Sequence, residues 1–175
     1  MPSIYIVPAW LEENHDLEFL RLRISEVFRK KTVIYESKKI DFHSIYNPSR
    51  KQYNSSQFLI QLLNNHPKDA LRILGVTDVD LFIPILTFVF GEAQLNGIAG
   101  VVSVHRLNNK FYGLPENEEL LRKRLIKEAI HELGHTYGLV HCLTPGCVMN
   151  SSTYVEDIDE KSEFFCSYCS SVIRG

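Results

Sequence analysis

The segment 131–149, HELGHTYGLVHCLTPGCVM, concentrates residue types that bind metals. His131 and His135 are four residues apart. On a helix that spacing leaves the two side chains about 40° apart in direction, so both imidazoles can reach one ion at about 2.0–2.1 Å. Glu132 points off that axis. It is poorly aimed as a ligand but well placed to touch a water on the metal, where a general base is needed. If the helix continued, His141 would lie about 9 Å beyond His135 along the axis. Gly138 offers a way out, because glycine tolerates the left-handed backbone that ends helices and turns the chain back. The pattern HExxHxxGxxH therefore predicts a three-histidine site, His131, His135 and His141, with one position open to water.

All four cysteines, Cys142, Cys147, Cys166 and Cys169, fall in the last 34 residues. A C-x4-C pair followed by C-x2-C is a zinc spacing. Three His and four Cys divide into an open site of three ligands and a closed site of four. The competing division puts His131, His135, His141 and Cys142 on one ion and strands the other three cysteines. Adjacent residues of an extended chain point opposite ways, which favours two ions, His141 facing one and Cys142 the other. Two disulfides would suit an exported protein. The start, MPSIYIVPAWLEEN, has no basic-then-apolar signal pattern, so a cytoplasmic protein with reduced thiols is expected.

The elements that position these residues read as an α/β (α+β) layer fold. IYIV at 4–7 and TVIYE at 32–36 read as strands. Between them Leu17, Leu20, Ile24, Val27 and Phe28 form a helical stripe over 15–30, with Asn14 as N-cap. Residues 55–65 read as a helix stopped before Pro67. LFIPILTFVF at 81–90 gives one or two strands, FGEAQLNG an irregular connection, and IAGVVSVHRL at 98–107 a strand. Gly97 and Gly100 suggest that this last strand lies at a sheet edge, or that some other backbone approaches it closely. A helix is expected from Pro115, with Glu116, Glu118 and Glu119 in its first turn. Its face of Leu121, Leu125, Ile126, Ala129, Ile130, Leu133 and Tyr137 would pack on the sheet and carry HELGH beneath it.

The chain has 175 residues, 45% hydrophobic and 23% charged, which suits one domain over 1–175. The net charge of −2 argues against nucleic acid and anionic membranes as partners. The longest apolar run contains Pro84 and is too short to span a bilayer. His15, His43, His66 and His105 lack ligand spacing.

HELGHTYGLVH resembles the metzincin zinc-peptidase signature. With CLTPGCVM and CSYC the match over residues 131–169 is similar to the archaemetzincins in particular, and FGEAQLNGIAGVVSVHRL also resembles them. The resemblance implies a compact domain with a mixed twisted sheet, an active-site helix and a zinc-stapled C-terminal segment. It implies Met149 as a hydrophobic floor under the catalytic zinc, the Met-turn. The expected activity is zinc-dependent peptide hydrolysis with Glu132 as general base and two Zn2+ per chain. The peptide or protein substrate is expected along the strand at 98–104, and the chain as a monomer. Tyr154 reads as a packing residue rather than an oxyanion donor. The alternatives are a catalytically weak or inactive zinc-containing peptide-binding module, and a structural or nucleic-acid-binding zinc protein. The intact Glu132 speaks for the enzyme.

Overall fold

The computed structural model describes residues 2–11, 16–37 and 39–174. In chain order the elements are β1 (Ser3–Pro8), α1 (Glu18–Phe28), β2 (Thr32–Ile34), β3 (Tyr46–Asn47), β4 (Gln52–Asn54), α2 (Ser55–Asn64), β5 (Ala70–Thr77), β6 (Leu81–Phe82), β7 (Gly91–Ala93), β8 (Ala99–Ser103), α3 (Glu118–Thr136), α4 (Val155–Glu160) and α5 (Ser167–Arg174). The main sheet has the order β2-β1-β5-β8-β7. Its first four strands run parallel, and β7 runs antiparallel to β8. A second small sheet joins β3, β4 and β6.

Alternation along the strands sends side chains to two cores. Ile4, Ile6, Leu74, Val76 and Val102 join Leu20 and Ile24 of α1 and Leu125, Ala129, Ile130 and Leu133 of α3 on one face. Val7, Ile73, Ala99 and Val101 join Phe58, Leu59 and Leu62 of α2 on the other. The helix α3, which carries His131 and His135, thus lies flat against the sheet, beside β7 and β8.

The βαβ start and both early helices agree with expectation, although the expected N-cap Asn14 and also His15 lie outside the described residues. Four details differ. The helix α3 starts at Glu118, not Pro115, because the Asn117 side chain accepts from Leu120 N–H at 3.0 Å and caps it there. Residues 81–90 form a two-residue strand and then a turn, with only Val89 returning to pair with Leu81, since Pro84 cannot donate to a ladder. The connection FGEAQLNG contains β7. And β8 is not an edge but is hydrogen-bonded on both sides, by β5 and by β7, so of the two readings of its glycines the close approach of another backbone holds, with Ala93 of β7 opposite Gly100. The edge strand on that side is β7, and β2 forms the opposite edge.

Candidate metal centre

The end of α3 determines where the third histidine goes. Gly138 has φ +91°, outside the range other residues adopt readily. Its N–H donates to His135 O at 2.9 Å, and Leu139 N–H donates to Gly134 O at 3.2 Å. These two bonds form a Schellman turn, which ends the helix and sends the chain back across it. His131, His135 and His141 are thereby brought together, each offering a ring nitrogen within 4.8 Å of the others.

Hydrogen bonds orient the rings. His131 Nδ1 lies 2.8 Å from Val148 O, and His135 Nδ1 lies 2.7 Å from Leu139 O. A carbonyl only accepts, so each Nδ1 carries the proton and each Nε2 presents a lone pair. Those two Nε2 atoms are 3.1 Å apart. Two lone pairs at that distance repel unless a cation lies between them. Nitrogens bound to one tetrahedral zinc stand about 3.3–3.4 Å apart, so the donor set fits zinc. Burial holds the proton affinity of His131 well below the ordinary imidazole value, helped by the charge of Lys161, and lowers those of His135 and His141 too. All three are therefore favoured in the neutral form that ligation needs.

Glu132 is buried, 5% exposed, and lines a cleft of about 620 Å³ between β7, α3 and the stretch after Met149. The three histidines line the same cleft. Burial pushes the Glu132 carboxyl well above the usual carboxylate range, and the neighbouring Glu128 and Glu92 add to the effect. A Cβ on Gly91 would come within 2.6 Å of Glu132 Oε1 and of Val101 O, so glycine is what lets β7 approach the carboxylate.

Met149 is fully buried. A Cβ on Gly134 would lie 2.5 Å from its sulfur, so the helix rests on this methionine at the position just before His135. The glycine of HELGH is the matching sequence signal. Tyr154 is 66% exposed and lies outside the cleft lining, so the expected packing role is corrected.

Cys142, Cys147, Cys166 and Cys169 form a second cluster with all sulfurs within 4.8 Å of one another, and none is in a disulfide. Cys142 Sγ and Cys166 Sγ are 3.8 Å apart. Sulfurs each about 2.3 Å from a tetrahedral zinc are separated by about that distance, so these residues fit zinc as well. Cys166 stands at the start of α5, where the Cys169 N–H pulls its thiol pKa down to about 6. Cys166 N–H in turn donates to Cys147 Sγ at 3.4 Å, and Thr144 N–H to Cys142 Sγ at 3.4 Å. His141 and Cys142 thus belong to different clusters.

Among the described residues no other group of His, Cys, Asp and Glu gathers in this way. His66 and His105 instead hold the backbone oxygens of Pro67 and Asp78 at 2.7 and 3.1 Å, and His43 packs against Trp10. Sequence reading missed Glu128 and Lys161. They form an ion pair of 2.7 Å inside the molecule, Glu128 on the cleft wall and Lys161 behind it.

The sequence matches the model of peptidase family M54 over residues 16–175. The archaemetzincin of Methanocaldococcus jannaschii is 41% identical over 167 residues, which cover 95% of this chain and 89% of that protein. The archaemetzincin of Archaeoglobus fulgidus is 38% identical over 173 residues, covering 98% and 99%. The crystal structure of the Archaeoglobus fulgidus archaemetzincin, complexed with malonate, is similar with a TM-score of 0.82 and 37% identity over 97% of this chain and 99% of that one. The archaemetzincin structure from Methanopyrus kandleri gives a TM-score of 0.86 and 31% identity over 98% and 93%.

Proposed function

The chain belongs to peptidase family M54 and is a zinc metallopeptidase, and from that premise we propose how its residues divide the work. His131, His135 and His141 hold the catalytic ion, and Glu132 is the general base. Cys142, Cys147, Cys166 and Cys169 hold a second, structural ion. Residues 1–175 act as one domain, and the chain works as a monomer in the cytoplasm. No helix among the described residues is long and apolar enough to cross a membrane.

Zinc, when bound by the three imidazoles, acidifies water to a pKa of about 7 and polarises the scissile carbonyl. Glu132 takes the proton from the attacking water and passes it to the leaving amine. Its raised proton affinity suits that task, since the carboxyl must keep the proton between the two transfers. The carbonyls of Val148 and Leu139 keep the protons of His131 and His135 on Nδ1. The substrate lies extended along the outer edge of β7, which has a hydrogen-bonded neighbour on one side only. Gly91 brings that edge within reach of Glu132.

The observation that carries this reading is the convergence of three imidazoles, two with their Nδ1 atoms held by backbone carbonyls, beside a buried carboxyl in one cleft. The test is digestion of a peptide library by the zinc-loaded protein and by Glu132→Ala at equal zinc content. Cleavage by the first and not the second is expected. Equal cleavage by both would point to a contaminant and sink the proposal. Binding without turnover by both would favour a peptide-binding module.

A further inference from the structure

The segment between β6 and Val89 supplies one wall of the cleft, through Ile83, Leu86, Thr87 and Phe88. Residues 83–88 belong to no helix or ladder, so their carbonyls need partners from elsewhere. Leu86 N–H donates to Ile83 O at 3.1 Å and closes a turn, with Pro84 in its second place, where the fixed φ of proline suits a turn. Side chains that do not line the cleft hold the rest. Arg50 donates to Leu86 O at 2.8 Å and to Pro84 O at 3.3 Å, and its guanidinium lies 4.5 Å from the centre of the Phe82 ring. The buried Gln52 gives its amide hydrogens to Thr87 O and Asp80 Oδ2, both at 3.0 Å. Asp80 is gripped by Arg106 at 2.7 and 2.8 Å, and the Arg106 guanidinium lies 4.2 Å from the centre of the Phe88 ring. Turns usually carry glycine or polar residues at the tip. This one carries Ile85 and Leu86, 87% and 49% exposed. Leu95 and Val140, from two other segments, are exposed on the same cleft. Single exposed apolar side chains need no explanation, but several that converge on one cleft mark a surface that is covered in use.

We propose that this turn is a preformed apolar wall, that Leu86 on it determines specificity by covering an apolar side chain of the substrate peptide, and that Arg50 and Gln52 are positioning residues that hold the wall in place. This rests on the peptidase reading. An apolar side chain laid against Leu86 removes hydrocarbon from water on both partners. A polar side chain of the same size gives up its water and meets only hydrocarbon at Leu86. A wall already fixed makes this distinction without the cost of ordering a turn at each binding event. Arg50 and Gln52 act through the wall, since neither lines the cleft. Without Arg50 the turn loses two of its ties, at Pro84 O and Leu86 O, and the apolar surface is no longer presented in one place. Arg50 is exposed, so its replacement costs the fold little.

The test uses the zinc-loaded full chain and pairs of fluorescent heptapeptides that carry Leu or Asn, side chains of similar size, at each position in turn. At one position or more the Leu peptide is expected to show a kcat/KM about tenfold higher. Affinities for zinc-loaded Glu132→Ala should show the same preference. Leu86→Ala should shrink the Leu-to-Asn ratio several-fold at that position, and Leu86→Met should keep it. Arg50→Ala should also shrink the ratio and raise KM by a larger factor than it lowers kcat, and Arg50→Lys should restore part of both, because an ammonium can still donate to Leu86 O. A merely structural role for Arg50 would lower the amount of folded enzyme and leave the ratio where it was. Equal handling of Leu and Asn at every position, a ratio unmoved by Leu86→Ala, or failure of all the peptides to bind would overturn the wall. A ratio moved by Leu86→Ala but not by Arg50→Ala would overturn the positioning role. Binding with the Leu preference but no cleavage would refute the peptidase reading and leave the wall standing.

Discussion

At Glu132, burial and chemistry act on the same proton. The folded chain holds that proton above the ordinary carboxyl value of about 4.3. The group's stabilising contribution is therefore complete below that value and is lost as pH rises through the folded pKa. In zinc-stripped protein, Glu132→Gln should gain stability relative to the parent as pH rises from about 5 to about 8, read as a widening gap between urea midpoints. A gap that stays constant with pH would refute the burial argument. The same substitution should lower peptide hydrolysis by about 10²–10⁴-fold. The convergence of the three histidines beside Glu132 was legible in the sequence because their spacing is local: one helix and one turn hold them all. Glu128 and Lys161 were not. They are 33 residues apart, and Lys161 sits in a charged run, DIDEKSE, that reads as solvated surface. Only the path of the chain after Met149 turns that lysine inward.

Elements place these residues through glycines with distinct roles. At Gly138 an added methyl would meet nothing closer than Asn96 Oδ1 at 3.7 Å, so the cost of Gly138→Ala is backbone conformation, about 1–2 kcal/mol. We expect that loss in denaturant midpoints, together with faster zinc release from the three-histidine site to a chromophoric chelator. Gly91→Ala differs, because the methyl would collide with Val101 O, a backbone atom that cannot step aside. Peptidase activity should fall at least about tenfold with zinc content unchanged, because the displaced groups are the edge strand and Glu132 rather than a ligand. Glycine also hid part of the fold. The central strand β5 contains Arg72 and Gly75, which interrupt its apolar pattern, and the sequence reading assigned nothing there. Yet Gly75 is needed because a Cβ would lie 2.8 Å from Leu62 of α2, and Arg72 is accommodated by stacking over Tyr137 at 4.1 Å. Both reasons are tertiary contacts. The edge was misplaced for a similar reason: β7 has three residues, too few for a period to register.

Across the whole molecule, the four cysteines link the end of the active-site segment to the C-terminal helix. Val148 sits between two of these features: its N–H donates to Phe164 O at 2.9 Å while its own carbonyl orients His131. Removing one thiol should therefore be felt at the imidazoles. For Cys169→Ser we expect zinc content to fall from two ions per chain to one, a melting temperature lower by about 10 °C, and reduced hydrolysis although no cysteine belongs to the three-histidine cluster. Elemental analysis, calorimetry and limited proteolysis after residue 142 would report these together. Unchanged zinc stoichiometry would contradict a four-thiolate site. The shortness of β7 has a separate consequence for which polypeptides can be processed. At the proposed docking edge a rim of three residues would grip only a few main-chain amides of a guest, so a long unfolded chain should gain little over an oligopeptide. Discrimination between guests must then come from the side chains next to the cut, and lengthening a substrate beyond that footprint should hardly change its turnover.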